Sequence, residues 1–244
     1  MAFMYEELDF RSTPIGDLML RRRRMPQFGD RDIYEVKLGE DFLMTSLFHE
    51  AESQLAILGL KALNREPLDV VVGGLGLGYT AVEALKDQRI DSLVVVDFLD
   101  AVIGWHQSGL VPLGQTLMDD VRCRLVQADF FALSREVTKS FDPDQPAKLH
   151  DVILLDIDHT PTHVLSQTNS HFYTDQGLGE LARHLKPGGV FAMWADGTPE
   201  DVFTQRLKGV FAHAESHTIE FDNAITGGSS KGAVYIAHTG ESSH

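Results

Sequence analysis

At 244 residues, with 43% apolar and 23% charged residues, the chain is long enough to bury the core of one large α/β domain and short for two independent ones. No apolar run approaches the roughly 20 residues that a membrane-spanning helix needs, and Glu6, Glu7 and Asp9 stand where a secretory signal has its basic start and apolar stretch, so a cytoplasmic protein is expected. A formal charge of −15 argues against nucleic acid and acidic membranes as partners and leaves a small molecule as the expected one.

In chain order, residues 19–45 read as short strands broken by Pro26, Gly29, Asp30 and Gly39, which means β-hairpins rather than helix. Arg21, Arg22, Arg23 and Arg24 form the one basic cluster. An alternating strand turns two of them to solvent, so a solvated hairpin is expected rather than an RNA contact. Over 46–63, Leu47, Leu55, Leu58 and Leu60 interleave with Glu50, Glu52 and Gln54, predicting a helix that leads into the main domain. The expected organisation is an N-terminal β-hairpin region over 1–45 and a Rossmann-like domain over 46–244.

After Pro67 apolar strands alternate with amphipathic helices. Strands are predicted at 70–72, 93–96, 124–127, 152–155 and 190–194, and helices at 80–86, 101–106, 175–184 and 199–210, which implies a parallel sheet covered on both faces. Cys123, the only cysteine, sits in an apparent strand and is expected to be a buried, inert thiol; alone it excludes an intrachain disulfide and a cysteine zinc site. Residues 134–149, with Pro143 and Pro146, read as a loop after a short helix. The chain closes with strands at 217–221 and 233–238 around Gly227, Gly228, Ser229 and Ser230. A terminal antiparallel hairpin on an otherwise parallel sheet is similar to the class I S-adenosylmethionine (SAM) methyltransferase fold, a doubly wound sheet, and unlike ordinary dinucleotide-binding domains.

The chemistry-bearing residues fall at strand ends. The first strand runs into Gly73, Gly74, Leu75, Gly76, Leu77 and Gly78, spaced G-x-G-x-G; Tyr79 takes the place of the last glycine in the dinucleotide fingerprint. Such glycines allow positive φ and close approach of a ligand to backbone. Asp97 ends the second strand about 20 residues on, where an acidic side chain accepts from ribose hydroxyls. Asp129 ends the third, before Phe130 and Phe131, suited either to an adenine contact or to a helix cap with core aromatics. Asp156 ends the fourth, with Asp158, His159 and Thr160 beyond it. Ligands of open α/β sheets lie outside the carboxyl ends of strands, so these carboxylates are expected to converge.

On these residues the chain resembles the spermidine synthase family, the polyamine aminopropyltransferases, and most closely its short spermidine synthase-like branch. The segments are VVVGGLGLGYT, VVVDFLDAVIGWH, QADFF, DVILLDIDHTP and LKPGGVFAMWADG, with LFHE resembling the family's Tyr-His-Glu segment. The resemblance implies SAM or decarboxylated SAM held by Gly74, Gly76, Gly78, Asp97, Asp100, Asp129, Phe130 and His49, with Asp156 as the catalytic carboxylate and Asp158 as a second candidate. The departures lie on the acceptor side. Asp156, Ile157, Asp158 and His159 replace Asp-Ser-Ser-Asp, Phe48 replaces the tyrosine, Met44 and Thr45 replace an acidic pair, and no tyrosine opens the last hairpin. Putrescine is therefore expected to be a poor acceptor.

Three functions follow as expectations: aminopropyl transfer to an amine, methyl transfer to a small molecule, or cofactor binding without catalysis; fold alone does not separate them. A homodimer is left open. Asp156, Asp158, His159 and His163 carry side chains that suit divalent metals, but without a recognisable ligand spacing they read as a pocket wall and no metal is expected. Trp105 and Trp194 read as core or pocket walls rather than a stacking platform for RNA.

Overall fold

The computed structural model describes residues 4–136 and 138–241. Residues 1–3 and 242–244, at the outer ends of the two expected regions, and Val137, in the expected 134–149 loop, lie outside them.

Four antiparallel strands come first, in the order β1 (Met4–Thr13), β2 (Gly16–Arg24), β3 (Ile33–Leu38) and β4 (Asp41–Thr45). The expected hairpins began at 19, so β1 and the start of β2 are additions. β1 leaves little signal because only Leu8 leans on the core while Tyr5 and Phe10 remain 49% exposed, and no apolar alternation results. Leu18, Leu20, Ile33 and Val36 supply the buried face instead. The expectation of two solvated arginines is corrected. Arg21 and Arg23 both bind the buried Glu35, Arg22 binds Glu6, and Arg24 binds Asp32, because β1 and β3 bring acidic side chains to both sides of β2.

Helix α1 (Glu50–Lys61) starts later than the expected 46. Ser46 is tied back to β3: its amide donates to the Tyr34 carbonyl at 2.8 Å, and its hydroxyl accepts from the Tyr34 amide at 2.9 Å. Extended pairing thus outcompetes the first helical turn. From Glu50 onward, Ala51, Leu55, Ala56, Gly59 and Leu60 form the buried stripe.

The main sheet contains β5 (Leu68–Gly73), β6 (Ile90–Asp97), β7 (Cys123–Gln127), β8 (His150–Leu155), β9 (Leu185–Asp196), β10 (His213–Asp222) and β11 (Ser229–His238), in the order β10-β11-β9-β8-β5-β6-β7. The β7-β6-β5-β8-β9 ladder is parallel, and β11 runs antiparallel between β9 and β10. Helices α2 (Tyr79–Leu85), α3 (Asp100–Gln107), α4 (Gly114–Asp119), α5 (Phe130–Arg135), α6 (Asp175–Ala182) and α7 (Asp201–Val210) complete the fold; α4 was not anticipated. This is the expected class I architecture with its antiparallel terminal hairpin. Val70, Val71, Val72 and their neighbours on β8 are buried on both faces, with an apolar cluster above and another below. The upper cluster also takes in Leu18, Leu20, Val36 and Leu38, so the N-terminal sheet shares a core with the main one. Cys123, expected to be buried, is half-buried, and desolvation pushes its thiol up to about 12, away from the reactive thiolate. Among the described residues no helix is long and apolar enough to cross a membrane.

Strand order reverses at β5, which has β6 on one side and β8 on the other. A crevice must open there at the carboxyl ends of the strands.

Candidate active site

One cavity occupies that crevice. Its floor is the glycine turn and the ends of β6, β7 and β8; its roof comes from the N-terminal sheet, through Leu18, Val36, Leu43 and Met44.

The glycine turn is held tightly by the chain itself. Gly74 has φ +94°, and a Cβ there would lie 2.0 Å from the Asp156 carbonyl oxygen, so no side chain fits between the turn and the end of β8. At Gly76, with φ +48°, a Cβ would meet the Met44 thioether at 2.6 Å. Gly74, Gly76 and Gly78 all line the cavity; packing against the Asp156 backbone already requires the first, whereas at Gly76 the flexible end of Met44 can yield and the positive φ is what favours glycine.

Asp97 ends β6 and fastens the turn. One carboxylate oxygen accepts from the Leu75 amide and the other from the Leu99 amide, each at 2.8 Å. Burial pushes its carboxyl up, against the pull of these amides and that of Gly76. Lone pairs remain on both oxygens and the residue lines the cavity, so it can still accept from a ligand hydroxyl. Asp129 lines the cavity while capping α5, accepting from the Ala132 amide at 3.0 Å. The cap and the cavity position coexist. Phe130 lines the cavity and is also a core residue, stacked on Phe141 at 4.8 Å.

Asp156 closes β8. Its Oδ2 accepts from the Thr80 hydroxyl at 2.7 Å. Burial pushes its carboxyl above the usual range, with the nearby Asp196 charge adding to the effect. Facing it from α1 is Glu52, a cavity residue that sequence reasoning did not single out. Burial, reinforced by Asp156, pushes the Glu52 carboxyl strongly upward too. A signal existed: Glu52 precedes the buried Leu55 and Ala56 by three and four positions, which places it on the inward stripe of α1.

Three expected site residues are not brought into the cavity. Asp158 is buried behind the loop: it accepts from the Leu165 amide at 2.6 Å, from Asn169 Nδ2 at 3.0 Å and from the Tyr173 hydroxyl at 2.8 Å. The loop turns this side chain into the core, so a catalytic role for it is corrected to a structural one. Asp100 is exposed in the first turn of α3 and lines a separate groove with Asp9 and Trp105. His49 stands just before the first turn of α1, outside the cavity and with no capping bond from its side chain, its ring stacked 4.1 Å from the cavity-lining Tyr79. Trp105 is core, its indole donating to Asp9 at 2.7 Å, whereas Trp194 lines the cavity and its Nε1 has no partner among the described residues.

The side chains of Asp156, Asp158, His159 and His163 do not converge on one point. With Asp158 turned inward and His159 stacked on His163 at 4.9 Å, no group of three or more such ligands forms among the described residues. His159 instead pairs with Asp196 at 3.1 Å, and this carboxylate holds the imidazole protonated to higher pH.

No family model matches the chain. It is 30% identical over 182 residues to polyamine aminopropyltransferase 2 of Pseudomonas aeruginosa, covering 70% of this chain and 46% of that protein. To the polyamine aminopropyltransferase of Pyrobaculum calidifontis it is 27% identical over 164 residues, 65% of this chain and 52% of that one. The chain thus spans about half the length of the curated relatives it matches. Among solved structures, a spermidine synthase in complex with the transition state analogue AdoDATO matches with a TM-score of 0.73 at 18% identity, over 97% of this chain and 74% of that one. Spermidine synthase from Thermotoga maritima matches with a TM-score of 0.72 at the same identity and coverage. These two likenesses establish the shared fold.

Proposed function

We propose that the cavity binds SAM or decarboxylated SAM and transfers an aminopropyl group to an amine, the reaction named for the polyamine aminopropyltransferases to which the chain is similar. The observation that carries this reading is the convergence of Asp97, Asp129 and Asp156, from the ends of three parallel strands, on a single cavity that Glu52 enters from α1.

The residues present fit such a group. Asp97 and Asp129 offer acceptors at the ends of β6 and β7, suited to ribose hydroxyls and an adenine amine, and Phe130 and Leu99 supply apolar wall beside them. Trp194 offers an indole N–H that the protein leaves without a partner. When bound, the sulfonium supplies an electrophilic carbon: the amine nitrogen forms a C–N bond there as the C–S bond breaks, and the bonding pair goes to sulfur.

Asp156 takes the proton that the amine must lose. Thr80 occupies its Oδ2 and fixes the carboxylate orientation, which leaves Oδ1 to face the amine. A carboxyl raised towards neutrality is a better base than an ordinary one, provided it is ionised at the working pH. The N-terminal sheet closes the cavity with Leu18, Val36 and Met44 and keeps water from the reacting atoms.

Methyl transfer from intact SAM is the second reading, favoured by Met44 in the apolar roof, one of the two positions, with Thr45, where the family resemblance implies an acidic pair. The test is calorimetric titration with both forms of the cofactor, followed by mass spectrometry of a metabolite extract incubated with the tighter one. Binding of neither form removes the proposal.

A further inference from the structure

The glycine turn is fastened largely through its amides. Gly74 donates to the Val96 carbonyl, Leu75 to the Asp97 carboxylate and Gly78 to the Leu75 carbonyl, each at 2.8 Å. The Gly76 carbonyl is held by a side chain instead: it accepts from His106 Nε2, on α3, at 2.9 Å. Gly76 lines the cavity, whereas His106 is 1% exposed and does not. Two further contacts fix the ring in place. A Cβ at Gly78, where φ is +94°, would lie 2.9 Å from His106 Cε1, and a Cβ at Gly114 would lie 2.5 Å from the His106 carbonyl oxygen. The turn, α3 and the start of α4 therefore close on this one residue.

Histidine is a costly way to fill that space. A carbonyl only accepts, so Nε2 carries the proton and Nδ1 is bare; burial pushes the imidazole below its ordinary value and keeps it neutral. Nδ1 is buried with no partner among the described residues. Leucine would pack there without stranding a polar atom. What histidine adds over leucine is the bond to the turn.

We propose that His106 is the positioning residue of the turn that receives the cofactor, its Nε2–H fixing the Gly76 peptide before the ligand arrives. This rests on the reading that the cavity binds SAM or decarboxylated SAM, and adds to it a residue that the ligand does not touch. Asp97, in the cavity, holds the Leu75 amide, and His106 holds the carbonyl of the next residue from α3, so this stretch of backbone is clamped between two side chains. Gly76, with φ +48° and no side chain, is where the turn would otherwise be freest. A clamp made on folding removes an ordering cost from binding, and affinity gains the difference.

The experiment has a spectroscopic and a binding arm. Long-range proton–nitrogen spectra of the imidazoles, with His106 assigned by its loss in His106→Gln, should show the neutral Nε2–H tautomer; an Nδ1–H or doubly protonated ring overturns the proposal. Calorimetry with SAM and with decarboxylated SAM then compares the unmodified protein with His106→Leu, which lacks a donor, and His106→Gln, whose amide nitrogen replaces Nε2. The expected Kd for the tighter form is roughly fivefold to tenfold weaker in His106→Leu, the loss of one neutral hydrogen bond, and within about twofold of the unmodified value in His106→Gln. Tm should stay within about 4 °C, because leucine removes the stranded Nδ1 as it strands the Gly76 carbonyl. Unchanged affinity in His106→Leu overturns the proposal, as does a His106→Gln that binds no better than His106→Leu. Should His106→Leu fail to fold, the tautomer and His106→Gln decide alone, and a His106→Gln Kd weaker by about tenfold overturns it. Failure of the unmodified protein to bind either form removes the cofactor reading and this inference together, whereas binding with no effect at His106 removes only the inference.

Discussion

Thr80 donates its hydroxyl to Asp156 across the start of α2, at 2.7 Å, and Thr80 is itself only 3% exposed. This bond lowers the Asp156 carboxyl, opposing the burial that raises it. Thr80→Val keeps the shape and removes the donor, so Asp156 should ionise at higher pH still. The acid limb of the pH–rate profile should move upward, with turnover falling at neutral pH and recovering in alkaline buffer. A uniform loss at every pH would mean that Thr80 acts on packing alone.

Asp97 should matter for affinity rather than for turnover. Asp97→Ala removes an acceptor from the cavity and the anchor of the Leu75 and Leu99 amides. Cofactor binding measured by calorimetry should weaken by about 1.5 to 3 kcal/mol, the range for hydrogen bonds to a charged group. Unchanged affinity would remove Asp97 from the binding site.

Asp158 should behave as a structural residue. Asp158→Ala strands three donors in a site that is 3% exposed. Leaving buried donors unsatisfied should cost about 3 kcal/mol, seen as a Tm lowered by roughly 6 to 12 °C, with cofactor affinity within a few-fold. Lost turnover at an unchanged Tm would restore Asp158 to the chemistry.

Stability should fall as pH rises, because of Glu52. Its folded-state carboxyl is raised by burial, with Asp156, Glu50 and Asp196 adding to the effect, so the folded protein binds this proton more tightly than the unfolded chain does. The resulting stability is present below the ordinary carboxylate range and lost as pH climbs through the raised value. Urea midpoints measured between about pH 5 and about pH 9 should therefore drop more for the unmodified protein than for Glu52→Gln. Parallel curves would place Glu52 in water.

The parts of the site on regular elements were legible from sequence, and those set by loops or by tertiary packing were not. The glycine turn, Asp97, Asp129 and Asp156 each end a strand, and strand ends in a parallel sheet share one edge, so their meeting follows from apolar runs alone. Asp158 lies two residues further along, where a turn of the loop decides between cavity and core, and periodicity carries no information about that turn. Glu52 was hidden among Glu50 and Gln54 on one helix, although its spacing to Leu55 and Ala56 marked the inward face. His49 went astray because the resemblance placed it beside the cofactor, whereas here its ring leans on Tyr79 outside the cavity. β1 could not be read because its residues pair through backbone and ion pairs and only Leu8 leans on the core, too little to show an alternation.

In the reaction proposed for this cavity, Asp156 takes a proton from an amine attacking a bound sulfonium. The most direct measurement is single-turnover formation of methylthioadenosine from saturating decarboxylated SAM and an amine, comparing the unmodified protein with Asp156→Asn. Product is expected from the first, with a rate lower by about 10² to 10⁴ in the second and cofactor Kd within a few-fold between them. Normal turnover by Asp156→Asn, or release of S-adenosylhomocysteine from intact SAM with no methylthioadenosine from the decarboxylated form, would contradict it.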